Sequence, residues 1–151
     1  MQLAVEYEAE YDSVVKALLA FAPLVIALLL FLIHFNLLPT ENEEEKELAQ
    51  LVLIGSFAAI LGIYYLILPR KFRLFEDRLE IVLGFVYSIR LQNIKDVRKA
   101  ENWKIFAYRG IRFATSTKNV VEIRKNRFGI LISPKNPDFF IEQIRSRISK
   151  I

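Results

Sequence analysis

Two long apolar stretches constrain this chain more than any other feature of its sequence. The first runs over 22 residues from Ala17 to Leu38, and the second over 21 residues from Leu48 to Leu68. At ~1.5 Å of rise per residue, a helix of either length crosses the ~30 Å hydrocarbon core of a bilayer. Both stretches are apolar on all sides, which argues against helices lying flat in the membrane interface. The sequence therefore predicts a two-helix transmembrane hairpin over residues 14–68.

The charges around these stretches predict an orientation in the membrane. The link 39–47 carries five Glu and one Lys, whereas the second stretch is followed at once by the basic segment Pro69–Arg73. Loops rich in Lys and Arg stay in the cytoplasm. We therefore expect a cell-membrane protein with an external acidic link, a cytoplasmic acidic tail over residues 1–13, a cytoplasmic domain over residues 69–151, and both termini inside.

The same charges separate the chain into two unlike parts. Residues 1–68 hold two lysines and nine acidic residues, whereas residues 69–151 hold nineteen basic and eight acidic residues. Anionic lipid attracts each nearby Lys or Arg by about 1 kcal/mol. The basic residues closest to the ends of the two stretches are therefore candidate membrane-surface contacts, with a role in topology alone as the alternative: Lys16, Arg70, Lys71 and Arg73.

A face of small residues runs along the second stretch. Gly55, Ala59 and Gly62 follow one another at spacings of four and three residues, which places them on one side of a helix. Small residues let helix backbones approach closely in lipid. We expect this face to pack against the first helix of the hairpin. The alternative is packing against a second copy of the chain or another membrane protein.

Beyond Pro69 the pattern changes to short segments in which apolar and polar residues alternate, as in half-buried antiparallel strands. A helix follows, with Asn136 as its N-cap, Pro137 at its first position, and apolar residues recurring from Phe140 to Ile148. Strands followed by one helix predict an α+β roll. The predicted strands are Leu79–Leu83, Phe85–Leu91, Trp103–Tyr108, Ile111–Phe113, Val121–Arg124 and Phe128–Ile132.

Several short sequence motifs within this half resemble those of the pleckstrin-homology-like (PH-like) domains of bacteria and archaea, which are often fused to short transmembrane hairpins. The most specific is the S-P-x-N-P-x-x-F motif at Ser133–Phe140, which joins the last strand to the helix. The resemblance implies an antiparallel PH-like β-barrel or roll capped by a C-terminal helix, and it implies no reaction. The other matching segments are Phe72–Leu74, Asp77–Ile81 with Gly84, Ile89–Val97, Gly110–Ser116 and Val121–Ile123.

The residues offer little chemistry. The chain has no Cys and one His, His34, and it contains none of the common phosphate-binding, hydrolase or metalloprotease motifs. We therefore predict no catalytic, cofactor-binding or metal-binding residues, no small-molecule substrate and no enzyme activity. Nucleic-acid binding is disfavoured because the aromatic residues, among them Phe85 and Phe128, mostly fall on the inward face of the predicted strands, where they cannot stack on bases.

Two functions are favoured at this point, while a minimal transporter or enzyme stays open only as an oligomer, because the two apolar stretches carry no charge and offer no pathway by themselves. The first is a non-enzymatic, membrane-anchored scaffold or protein-interaction module at the inner leaflet, and the second is an electrostatic sensor of anionic lipid. The expected partners are the lipid bilayer and either a second copy or another membrane protein. A basic turn is a candidate for an anionic partner, with a solvated hairpin tip as its alternative: Lys118, Arg124, Lys125 and Arg127.

Overall fold

The computed structural model describes residues 4–39, 42–100, 110–126 and 128–150, and it divides the chain into two compact units. The helical unit comprises residues 16–65. The sheet unit comprises residues 1–15 together with residues 66–151. The division confirms two apolar helices and a separate α+β part, but the residues before the first helix belong with the sheets.

Two helices account for the apolar stretches: α1 spans Ser13–His34 and α2 spans Glu43–Ile67. Their most apolar windows have mean hydropathies of 2.7 and 2.0, and both helices are long enough to cross a membrane. The end of α1 is set by Asn36, which adopts the left-handed conformation with φ of 55°. The Leu37 N–H then reaches back to the Leu32 carbonyl at 2.8 Å, which terminates the helix.

The link between the helices is shorter than predicted. Residues 43–47, assigned from sequence to the acidic link, form the first turns of α2. Asn42 caps this helix, because its Oδ1 accepts the Glu45 N–H at 2.8 Å. The glutamates of the first turn are also favoured by the positive end of the helix dipole. Acidic composition here marks a helix start rather than a loop.

The sheet unit contains two four-stranded sheets and a C-terminal helix, α3, over Pro137–Ile148. The first sheet has the antiparallel order β1-β2-β3-β4. The second has the order β5-β7-β8-β6, and its β6–β8 pair is parallel. The strands are β1 (Val5–Glu8), β2 (Lys71–Leu74), β3 (Arg78–Val82), β4 (Val86–Arg90), β5 (Ile94–Lys99), β6 (Gly110–Arg112), β7 (Val121–Lys125) and β8 (Gly129–Ile132).

Strand β1 corrects the prediction of a separate acidic tail over residues 1–13. It pairs with β2 over four residues, with Tyr7 opposite Phe72, and Ala9 forms a further bridge to Pro134. Tyr7 and Ala9 are each 8% exposed and belong to the core. Strand β1 precedes both helices in the chain, so the hairpin is inserted between the first and second strands of one sheet.

The core lies between the two sheets and under α3. Alternation predicted its members in β3, β4, β7 and β8, and Phe140 and Ile144 of α3 are fully buried, as expected. The α+β roll is confirmed, although the sheets do not close into a barrel among the described residues. Phe85 and Phe128 are exposed, contrary to the predicted inward face. The predicted strand Trp103–Tyr108 lies outside the described residues.

Candidate functional site

The chain leaves the sheet unit at Asp12, whose carboxylate makes two kinds of contact. Asp12 Oδ1 accepts the Val15 N–H at 2.8 Å and so caps α1, while Oδ2 accepts the Thr117 hydroxyl at 2.7 Å. These bonds, first that from Val15 and then that from Thr117, hold the pKa of Asp12 below its ordinary value. One carboxylate therefore starts α1 and fixes that start to the loop before β7.

The segment between β1 and α1 is bound to the same region by Glu10. Its N–H donates to the Ser133 carbonyl at 2.7 Å, and its carbonyl accepts the Thr115 hydroxyl at 2.5 Å. Its carboxylate accepts the Asn119 side-chain amide at 2.9 Å. Since β1 itself pairs with the first sheet, this segment connects the first sheet to the loops of the second.

The chain re-enters the sheet unit after α2 through a second set of bonds. The Gly84 N–H, in the turn between β3 and β4, donates to the Leu66 carbonyl at 3.2 Å. The Tyr11 hydroxyl donates to the Pro69 carbonyl at 2.6 Å, which links the outgoing segment to the returning one. The Ala9 N–H donates to the Arg70 carbonyl at 3.1 Å. Both junctions of the hairpin are therefore hydrogen-bonded parts of the sheet unit.

The candidate membrane contacts on β2 meet an acidic partner on β1. Glu6 accepts hydrogen bonds from Lys71 Nζ at 3.1 Å and from Arg73 Nε at 2.8 Å. The Lys71 bond, followed by the Arg73 bond, lowers the pKa of the Glu6 carboxyl. Lys71 and Arg73 thus share one face of β2, as their spacing requires, but Glu6 offsets their charge. Arg70 is exposed immediately before β2, and Lys16 belongs to the helical unit.

Residues 70–148, slightly more than half of the chain, match the family model described as bacterial PH domain. The chain belongs to the bacterial PH domain family. No curated protein and no solved structure matches it. The match confirms the resemblance, and it covers α3 and every strand of the two sheets except one.

The exception is β1, which lies outside the matched segment yet completes the first sheet of this PH domain. Its acidic side chains were missed as functional groups because the charge of the segment suggested a tail. The signal was nevertheless present, since Val5, Tyr7 and Ala9 alternate with glutamates as in a strand with one buried face. Adding residues 1–15 lowers the formal net charge of the domain from +11 to +7.

The candidate basic turn is not assembled as one site. Lys118 precedes β7, whereas Arg124 and Lys125 lie at its far end, about 20 Å along the chain at ~3.3 Å per residue. Lys125 Nζ instead lies 5.0 Å from the centre of the Phe128 ring, a cation–π contact. Arg127 lies outside the described residues. The three candidates that the structure describes therefore do not form a shared binding site for an anion.

Arg124 takes part in a charge cluster on the second sheet. Glu122, whose side chain is 10% exposed, accepts hydrogen bonds from Arg98 Nε at 2.7 Å and Arg124 Nε at 3.3 Å. Burial pushes the pKa of Glu122 upward, but the two guanidinium groups outweigh it and hold the pKa below its ordinary value. The cluster joins β5 to β7 across the sheet, where Arg98 faces Glu122 in register.

A groove of about 670 Å³ lies between β5 and α3 of the PH domain. Lys99 Nζ lies 3.6 Å from Asp138, and Arg145 lies 3.7 Å from Asp96. Arg145 also donates to the Val97 carbonyl at 3.1 Å, which ties α3 to β5. The cations of the groove are therefore paired with acids of the same domain, and the groove is charge-balanced.

The small-residue face of α2 is not packed as expected. A Cβ placed on Gly55 or Gly62 would meet no heavy atom within 4 Å, apart from the backbone of its own helix, among the described residues. Ala59, between them, is exposed. The space beside Gly55 and Gly62 is therefore open among the described residues, contrary to the preferred prediction that this face packs against α1.

Proposed function

We propose that this chain is a non-enzymatic, membrane-anchored PH-domain module that serves as a scaffold or protein-interaction module at the inner leaflet. One observation carries the proposal: β1, before the helices, pairs with β2, after them. The PH domain is thus interrupted by two helices that are long and apolar enough to cross a membrane. Because β1 precedes the two helices, a PH domain separated from them by a break in the chain would lose this strand.

The pairing of β1 with β2 also supports the proposed topology. Two crossings return the chain to the side from which it started, which is what a strand pair formed across the hairpin requires. The basic segment Arg70–Arg73 follows α2 directly, while the acidic turn Glu43–Glu45 begins it. This asymmetry favours a cytoplasmic PH domain and an external α1–α2 link.

The ion pairs favour a scaffold over an electrostatic lipid sensor. Lys71 and Arg73 are bound to Glu6, Arg124 is bound to Glu122, and Lys135 is bound to Glu8. A cation already paired with a carboxylate gains less from an anionic headgroup, because binding lipid requires breaking the existing pair. The remaining net charge of +7 supports general attraction to the inner leaflet but no built headgroup site.

Topology is tested by labelling single cysteines, since the chain has none of its own. Asn42→Cys lies in the α1–α2 link, and Glu76→Cys lies in the exposed turn between β2 and β3. In spheroplasts, a membrane-impermeant maleimide should label residue 42 directly and residue 76 only after permeabilisation. Labelling of both sites without permeabilisation would contradict the proposed topology.

Assembly is tested on the purified full chain by chemical crosslinking and native mass spectrometry. A scaffold should appear as a defined oligomer or with a co-purifying protein in stoichiometric amount. A strict monomer with no partner would argue against this role. Reconstitution in neutral and anionic vesicles separates the lipid-sensing alternative: hydrogen exchange of β2 should then depend on lipid charge and weaken between ~50 and ~200 mM salt.

A further inference from the structure

The turn between β3 and β4 exposes two large apolar side chains. The turn consists of Leu83, Gly84 and Phe85, and Val86 begins β4. Leu83 is 2% exposed and anchors the turn in the core, whereas Phe85 and Val86 are 55% and 51% exposed. Tight turns favour polar residues and glycine. Phe85 and Val86 therefore form an exposed apolar surface at a position where polar residues are usual.

This tip lies beside the end of α2. The Gly84 N–H donates to the Leu66 carbonyl at 3.2 Å, so the backbone of the tip is one hydrogen bond from the last turn of that helix. Leu66 and Ile67, the final residues of α2, are themselves 50% and 54% exposed. The exposed apolar surface of the helix end and that of the tip are therefore brought together by the backbone.

We propose that the β3–β4 turn is a membrane-embedded tip, in which Phe85 and Val86 insert into the bilayer interface where α2 leaves it. The inference rests on the proposed function, because it requires α2 to span the membrane. If α2 spans, Leu66 lies at the boundary of the hydrocarbon region, and the turn bonded to it lies at that level. Phe and Leu are common on the apolar face of segments that enter this boundary.

The surroundings of the tip suit a lipid interface better than a protein partner. The Arg70 N–H donates to the Val82 carbonyl at 2.8 Å, and Lys71 lies opposite Val82 in the β2–β3 ladder. The basic segment thus begins directly behind the apolar tip with the exposed Arg70, whereas Lys71 is already paired with Glu6. Apolar side chains at the front and cations behind them are the arrangement by which peripheral segments bind the interface, with the apolar part roughly 5–10 Å into the headgroup–acyl boundary.

The test uses spin labels on single cysteines in the full chain, purified and reconstituted in vesicles. Phe85→Cys and Val86→Cys report on the tip, and the second keeps Phe85 in place. Glu76→Cys is the matched control, since it lies in the exposed turn at the other end of β3, about 16 Å away at ~3.3 Å per residue. Leu61→Cys reports on an exposed position of α2.

Accessibility to dissolved oxygen and to a water-soluble nickel chelate gives the result. Labels at residues 85 and 86 should be protected from the chelate and open to oxygen, as at residue 61, whereas residue 76 should show the reverse preference. Nickel accessibility at 85 and 86 equal to that at 76, with residue 61 protected, would overturn the inference and leave membrane insertion intact.

Two further outcomes separate the competing explanations. If residue 61 is itself accessible to the chelate, α2 does not span and both proposals fall. If protection at residues 85 and 86 disappears on dilution of the protein in lipid, with loss of spin–spin broadening, a second copy covers the tip and the lipid assignment is wrong. Protection that is independent of the protein-to-lipid ratio supports the membrane-embedded tip.

Discussion

Replacing Tyr7 tests whether β1 is an integral strand of the PH domain. The Tyr7 side chain is 8% exposed, and its ring meets that of Phe140 edge-on, with centroids 4.9 Å apart. Truncating a buried aromatic side chain to Ala costs roughly 3–5 kcal/mol in protein cores. Because Tyr7 lies on an edge strand, we expect Tyr7→Ala to lower the free energy of unfolding by about 3 kcal/mol.

The matched variant Tyr7→Phe should change the free energy of unfolding in the opposite direction. The Tyr7 hydroxyl is buried and has no hydrogen-bond partner among the described residues. Burying an unpaired hydroxyl costs about 1–3 kcal/mol, which the phenylalanine does not incur. Tyr7→Phe keeps the ring contact with Phe140 and should therefore raise the stability of the domain by about 1 kcal/mol.

Both variants are measured by thermal unfolding of the purified full chain in detergent, followed by near-ultraviolet circular dichroism. For a domain of this size, a loss of about 3 kcal/mol lowers Tm by on the order of 10–20 °C. A Tyr7→Ala variant that melts with the wild type would refute the assignment of β1 to the domain. A clear loss of stability in Tyr7→Phe would instead show that the hydroxyl has a partner.

Further predictions concern the stability of the protein. They involve Glu122, the carboxylates that titrate in acid, and the two glycines of α2. Glu122→Gln should cost about 2 kcal/mol in a urea melt, since two guanidinium groups lose a charged acceptor; an unchanged midpoint would contradict this. The pKa values of Glu122 and Asp12 in the folded protein lie below their ordinary values of 4.5 and 3.8. The two ionised carboxylates therefore stabilise the fold at a pH above the ordinary values, and this stabilisation is lost as the pH falls through the lowered pKa values. Tm should therefore drop in acid, and less steeply in Asp12→Asn. Gly55→Ala and Gly62→Ala should not lower Tm in detergent, because the added methyl groups meet no neighbour; a lower Tm would show that the face is packed.

Local patterns in the sequence predicted the parts of the fold that local patterns control. Two apolar stretches gave two helices, and alternation gave β3, β4, β7 and β8 with their buried faces. The Asn136-Pro137 pair marked the start of α3, although the Asn136 side chain makes no capping hydrogen bond. Helix ends were less accurate, because they depend on single side chains such as Asp12 and on the left-handed Asn36.

The rest of the fold and of the candidate site depends on contacts between segments that are far apart in the sequence. The partner of β1 lies 67 residues away at the Glu6–Arg73 contact, so its alternation could not be separated from an acidic tail by local reasoning. The same distance hid the pairing of the candidate lipid-binding cations with glutamates. Phe85 was placed inward because alternation was extended through the turn, where the strand pattern is interrupted between Leu83 and Val86.

The insertion of the hairpin between β1 and β2 also determines the order in which the molecule can be assembled. During synthesis β1 emerges well before its partner, and it stays unpaired until both helices have been made and placed. An unpaired strand offers free backbone groups to other chains, a hazard that charged side chains reduce. Glu6 and Glu8, which hold basic residues in the finished domain, would meanwhile repel neighbouring copies of the nascent strand. Pairing of β1 with β2 therefore cannot precede the synthesis of both helices.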